Sequence, residues 1–111
     1  MELTFKTKKL QKVCNSADKL RRQYGPRMSE AIQVRLVTLA AVDNLEHMRM
    51  LPGRCHQLSH DLEGHLALDL VHPERLIFKP NHAPYPELES GGLDWTKVTR
   101  VIITDIRDYH G

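Results

Sequence analysis

Seven histidines among 111 residues are the first feature that could carry chemistry. Imidazole exchanges protons near neutral pH and also ligates metals. His56, His60, His65 and His72 lie near Cys55, Asp61 and Asp69, a composition that would suit a metal site. The spacings do not suit one. There is no Cys-x-x-Cys pair and no His-Glu-x-x-His, and strand alternation would divide these side chains between two faces. No metal or other cofactor is expected. The chain closes on Asp108-Tyr109-His110, an acid, a phenol and an imidazole just beyond an apolar run. A strand end is a rigid mount for proton transfer. The plainer alternative is a polar tail with Tyr109 covering the edge of the core. Arg75 begins a strand-like segment, opposite the face of Leu76 and Phe78. A guanidinium there can fork onto a phosphate and offset charge that grows in a transition state. An ion pair with Glu74, Asp69 or Asp105 would occupy it equally well. His56 could be a strand-borne acid or base, or simply a hydrogen-bonded structural residue.

The elements that must position these groups follow from periodicity. Glu2 to Phe5 is a short β-prone opening. Leu10, Val13, Cys14, Ala17, Leu20 and Tyr24 recur at helical spacing, with Asn15-Ser16 able to break or re-cap that helix. Gly25-Pro26 punctuates, and a second helix runs from about Pro26 to Val42 with Met28, Ile32, Leu36, Leu39 and Ala40 as its core face. So short a link implies an antiparallel helical hairpin. Asn44 can cap a helical turn through Met50, which Pro52-Gly53 ends. The period then changes to two. Cys55 to Leu58, His65 to Val71 and Arg75 to Lys79 read as strands, the last ended by Pro80. Asn81 to Thr96 is rich in Pro, Gly and acid and reads as a long exposed loop. Val98 to Ile106, apolar on both faces, reads as a central strand. The expected fold is one α+β domain spanning 1–111, with an N-terminal strand and helical hairpin packed on a mainly antiparallel sheet of four to five strands.

Composition narrows the class. With 41% hydrophobic and 27% charged residues, the chain can bury a core, and wholesale disorder is excluded. No apolar run suits a membrane helix, no signal-peptide pattern opens the chain, and two cysteines are too few for a disulfide framework. The expectation is a cytoplasmic protein with reduced thiols and no membrane partner. The net charge is only +2, but it is unevenly spread. Up to Arg35 there are nine basic residues (Lys6, Lys8, Lys9, Lys12, Lys19, Arg21, Arg22, Arg27, Arg35) and three acids (Glu2, Asp18, Glu30). Such a block suits either a polyanionic partner or a solvated helix face.

Taken in order, several short motifs point to a known family. They are Arg54-Cys55-His56-Gln57-Leu58, Gly64, Leu68-Asp69-Leu70-Val71-His72-Pro73, Arg75-Leu76-Ile77-Phe78, Val98-Thr99-Arg100 and Asp108-Tyr109-His110-Gly111. The chain resembles, almost end to end, the HigB-type plasmid maintenance killer toxins of the RelE/ParE superfamily. The resemblance implies the toxin of a bacterial type II toxin–antitoxin system, a ribosome-dependent endoribonuclease that cuts translated mRNA by attack of a ribose 2′-OH on the adjoining phosphodiester. It implies that His56 and His110 serve proton transfer and orientation, that Asp108 and Tyr109 are the acid–phenol pair, and that Arg75 meets the scissile phosphate. Related nucleases often carry a lysine a few residues after the first histidine. Here Ser59 stands near that position, which shifts the charge role to His60 or Arg75. Lys8, Lys9, Lys12, Lys19 and Arg22 would then grip ribosomal RNA phosphates. The implied partners are the 70S ribosome with its mRNA and a HigA-like helix-turn-helix antitoxin, with operator DNA reached only through the antitoxin complex.

Two other functions compete. A ParE-like toxin that poisons DNA gyrase by binding needs no proton-transfer residues, and the polar Asp108-Tyr109-His110 end argues against it. A decayed toxin that keeps only antitoxin binding would tolerate the Ser59 departure.

Overall fold

The computed structural model describes residues 1–108, and Tyr109 and His110 lie outside the described residues. Strand β1 (Glu2–Phe5) leads into helices α1 (Lys8–Cys14), α2 (Ala17–Tyr24) and α3 (Pro26–Ala41). Local hydrogen bonding divides the first helical stretch. Thr7 Oγ1 accepts from the Leu10 N–H at 3.1 Å, and Ser16 Oγ accepts from the Lys19 N–H at 3.2 Å. Each hydroxyl satisfies a donor left without a partner in a first turn, so α1 ends and α2 restarts at Asn15-Ser16. Gly25, at φ +86°, turns the chain, and Pro26 takes the first position of α3. Helix α3 buries Met28, Ile32 and Leu39, leaves Leu36 half-buried and exposes Ala40, so its core face is narrower than the spacing suggests.

Strands β2 (His56–Gln57), β3 (Leu66–Asp69), β4 (Glu74–Pro80) and β5 (Arg100–Asp108) complete a five-stranded sheet of order β1-β5-β4-β3-β2. Strand β1 runs parallel to β5, and the other pairs are antiparallel. The helices and the sheet share one core, in which Leu20, Ile32 and Leu39 join Leu66, Leu68, Leu76, Phe78, Val101, Ile103 and Ile106. Each large side chain fully buried there contributes roughly 1.5–3 kcal/mol. The other face of the sheet holds a small apolar patch of Leu58, Ala67 and Ile77. Its remaining positions are free for polar groups.

A β-bulge on β5 decides which residues occupy that open face. The register shifts between Ile77 and Phe78, so Phe78 lies opposite Ile103 while Leu76 lies opposite Ile106. Alternation from Val101 and Ile103 would send residues 105 and 107 into the core. The bulge returns Ile106 to the core and turns Asp105 and Arg107 to the open side. Thr104 Oγ1 donates to the Ile77 carbonyl at 3.1 Å, and Asp105 Oδ1 accepts from the Ile106 N–H at 2.8 Å, which ties down the irregular backbone.

The structure corrects four details of the sequence reading. Strand β4 runs through Pro80, opposite Val101. The Asn81 N–H donates to the Arg100 carbonyl, so the Pro80 nitrogen faces the other way, where β3 has already ended, and no ladder bond is lost. Asn44 occupies the N-cap position of the 3-10 turn Leu45–Met50, but its side chain makes no capping bond, and its buried Oδ1 has no hydrogen-bond partner among the described residues. The segment 81–96 is exposed only in its first part, since Leu93 and Trp95 are buried and Arg49 stacks 3.7 Å above the Trp95 ring. Val98 closes the 3-10 turn Trp95–Lys97 and precedes β5.

Candidate active site

Three directly opposed residues cross the open face in one row, Asp69 on β3, Arg75 on β4 and Arg107 on β5. Facing residues in antiparallel strands share a sheet face. Arg75 Nε stands 3.4 Å from Asp69 Oδ1. Of the three acids the sequence offered as its partner, Asp69 is therefore the one used. Arg107 leans on its own neighbour instead, with Nε 3.5 Å from Asp105 Oδ2.

Arg54, which opens the first of the quoted motifs but was given no role there, joins the row from the loop before β2. Its guanidinium forks onto Asp69, with Nε at 2.9 Å from Oδ2 and Nη2 at 3.1 Å from Oδ1. Burial works against ionisation of Asp69. The Arg54 hydrogen bonds and charge, with Arg75 and His56, outweigh it and hold the carboxyl below its ordinary value. A cavity of about 140 Å³ opens here, lined by Arg54, Asp69, His72 and Arg75 among others.

His56 lies opposite Ala67 on the same face. Its Nδ1 is 2.7 Å from the Arg54 carbonyl. A carbonyl can only accept, so Nδ1 carries the proton and Nε2 keeps the lone pair in the neutral ring. That is the tautomer a general base requires. The two thiols are unsuited to nucleophilic work, because burial pushes Cys14 up to about 11 and Cys55 up to about 12.

The structure does not unite every expected site residue. His56 and Arg75 share the open face with Asp69 and Arg107. Asp108 stands opposite Glu74, in phase with Ile106, so the register puts it on the helix-bearing side at the end of β5. Tyr109 and His110 lie outside the described residues. His60 sits at φ +58° in the 3-10 turn His60–Leu62, away from the ladder positions of the row. Lys8, Lys9, Lys12, Lys19 and Arg22 are exposed on α1 and α2. Lys9 lines a second cavity of about 210 Å³ between these helices and β5, which shares no lining residue with the arginine site. Among the described residues no three His, Cys, Asp or Glu side chains form a group able to hold a metal ion, and no helix is long and apolar enough to cross a membrane.

No protein-family model matches the chain, and no curated protein matches it in sequence. Its fold has clear counterparts. A YoeB/ParE toxin from Agrobacterium tumefaciens is similar with a TM-score of 0.59 at 12% identity, over 99% of this chain and 100% of that one. YoeB from Staphylococcus aureus, solved in complex with YefM, is similar with a TM-score of 0.57 at 15% identity, over 100% and 98%. A YoeB dimer from Staphylococcus aureus gives 0.57 at 17% identity over the same shares. At these identities the likeness concerns architecture, and the architecture of this chain is that of the YoeB/ParE-type toxins.

Proposed function

We propose that this protein is the toxin of a type II toxin–antitoxin system and acts as a ribosome-dependent endoribonuclease on translated mRNA. The observation that carries this reading is the open sheet face, where Arg54 and Arg75 share the Asp69 carboxylate, Arg107 stands opposite Arg75, and His56 presents an Nε2 that can accept a proton. The YoeB/ParE-type fold supports it.

In the proposed reaction the 2′-OH attacks the adjoining phosphorus while His56 Nε2 takes its proton. Arg75 offsets the charge that grows on the non-bridging oxygens, a contribution of about 10²–10³ in rate for one well-placed donor. The 5′-oxygen leaves with a proton, leaving a 2′,3′-cyclic phosphate. The HigB-type resemblance gives that donation to Tyr109 and His110, whereas Asp108, on the helix-bearing side of the sheet, does not face the phosphate. Lys8, Lys9, Lys12, Lys19 and Arg22 would contact ribosomal RNA, each contact adding salt-sensitive affinity. The partner that restrains the toxin would be a HigA-like helix-turn-helix antitoxin, the pair would bind its own operator DNA, and the setting would be the bacterial cytoplasm.

Primer extension on mRNA from ribosomes incubated with the purified protein tests the reading. New 5′ ends within codons are expected with the parent and are lost with Arg75→Ala. Growth arrest with DNA breaks and no new RNA ends would replace it with the gyrase reading.

A further inference from the structure

Asp69 holds two cations with one carboxylate, Arg54 through both of its oxygens and Arg75 at 3.4 Å. The planar two-pronged contact that Arg54 makes is the one a guanidinium makes with a phosphate. It is also easily exchanged. The Arg54 side chain is 58% exposed and that of Asp69 38%, so water screens the pair.

The backbone holds Arg54 in an unusual way. Its φ of +51° lies in the left-handed region that side chains other than glycine seldom adopt. Such positions persist only where neighbours impose them, and they gather at functional sites. Here the Asp69 N–H donates to the Gly53 carbonyl at 2.8 Å, and His56 Nδ1–H donates to the Arg54 carbonyl. A residue of no strand is thus carried alongside Arg75, at the cavity both line.

We propose that Arg54 is a second phosphate ligand of this face, and that Asp69 is an internal stand-in which an RNA phosphodiester displaces. This rests on the nuclease reading and extends it. The phosphodiester that reaches Arg75 is gripped from two sides, and in the free protein Asp69 keeps the two cations from repelling each other.

Binding of a 2′-O-methylated hexaribonucleotide, which cannot be cut, tests the proposal by NMR titration at several salt concentrations. Arg54→Gly is the informative variant, since glycine suits the left-handed backbone and keeps the fold. It should weaken binding about 5- to 20-fold and lower the slope of log affinity against log salt by about 0.7. Asp69→Asn should tighten binding several-fold. If Arg54→Gly binds like the parent while Arg75→Ala is weakened, the proposal fails and the nuclease reading stands. If neither arginine matters, or the parent does not bind, the proposal fails, and primer extension on ribosomes separately decides the nuclease reading. Weaker binding by Asp69→Asn would remove Asp69 as a stand-in. Inorganic phosphate that competes as well as the oligonucleotide would make the ligand a free anion and overturn RNA.

Discussion

Arg75 and Arg107 face each other directly across β4 and β5, cation against cation. Like charges in that position destabilise a sheet by roughly 0.2–1 kcal/mol relative to neutral pairs. Each is offset by an acid, Arg75 by Asp69 across the sheet on β3 and Arg107 by Asp105 two residues earlier on β5. A fold selected for stability alone has no use for this juxtaposition, whereas a surface that receives a polyanion does. Arg107→Gln is therefore expected to be no less stable than the parent, and to cut mRNA on ribosomes at least tenfold more slowly. A lowered denaturation midpoint with full cleavage would show that Arg107 serves the fold instead.

His82 gives stability a pH dependence. Its Nε2 accepts from the Thr99 N–H at 3.1 Å and the Arg100 N–H at 3.3 Å, which requires that nitrogen to be unprotonated. Burial, assisted by the nearby Arg100, lowers its pKa. The unfolded chain takes up the proton near the ordinary value of ~6.5, and the folded chain takes it up at lower pH. This contribution is complete above that pH and is lost as pH falls through it toward the folded value. In urea titrations at pH 7.5 and 5.5, the parent should lose more stability on acidification than His82→Gln. Equal losses would remove His82 as the cause.

Gly53 is required where it stands. At φ +113°, an added Cβ would lie 3.0 Å from both Arg35 Nε and Leu68 Cδ2. Arg35 Nε also donates to the Asp69 carbonyl at 2.9 Å, so pushing it aside would disturb the residue that organises the arginine row. Gly53→Ala should lower unfolding free energy by about 1–3 kcal/mol. A denaturation curve matching the parent would mean that Arg35 moves away without loss.

Trp95, the single tryptophan, reports on how segment 81–96 is anchored. Arg49 stacks over its ring at 3.7 Å and pairs with Glu46 at 2.9 Å. Arg49→Ala should destabilise by about 0.5–1 kcal/mol and shift the tryptophan emission. An unchanged emission spectrum would show that the stacked arrangement is not the one populated in solution.

Local sequence determined the parts of this fold that depend on neighbours along the chain. Thr7 and Ser16 cap helices because a hydroxyl can reach a backbone N–H a few residues ahead. Gly25-Pro26 turns the chain because glycine tolerates positive φ and proline needs no N–H partner in a first turn. Alternation set Leu66, Leu68, Leu76 and Phe78 on one face and Arg75 on the other, so the face that this arginine occupies was legible. Tertiary structure decided what depends on partners far away in sequence. The parallel pairing of β1 with β5 joins the two ends of the chain. The bulge opposite Ile77 and Phe78 reverses the phase of β5, and simple alternation would have hidden Arg107 in the core. Arg54 reaches the row only because Asp69, brought back by the β2–β3 turn, draws it there. A side chain's face follows from local period, but which charges meet on that face follows from register, and register is settled only when the strands pair.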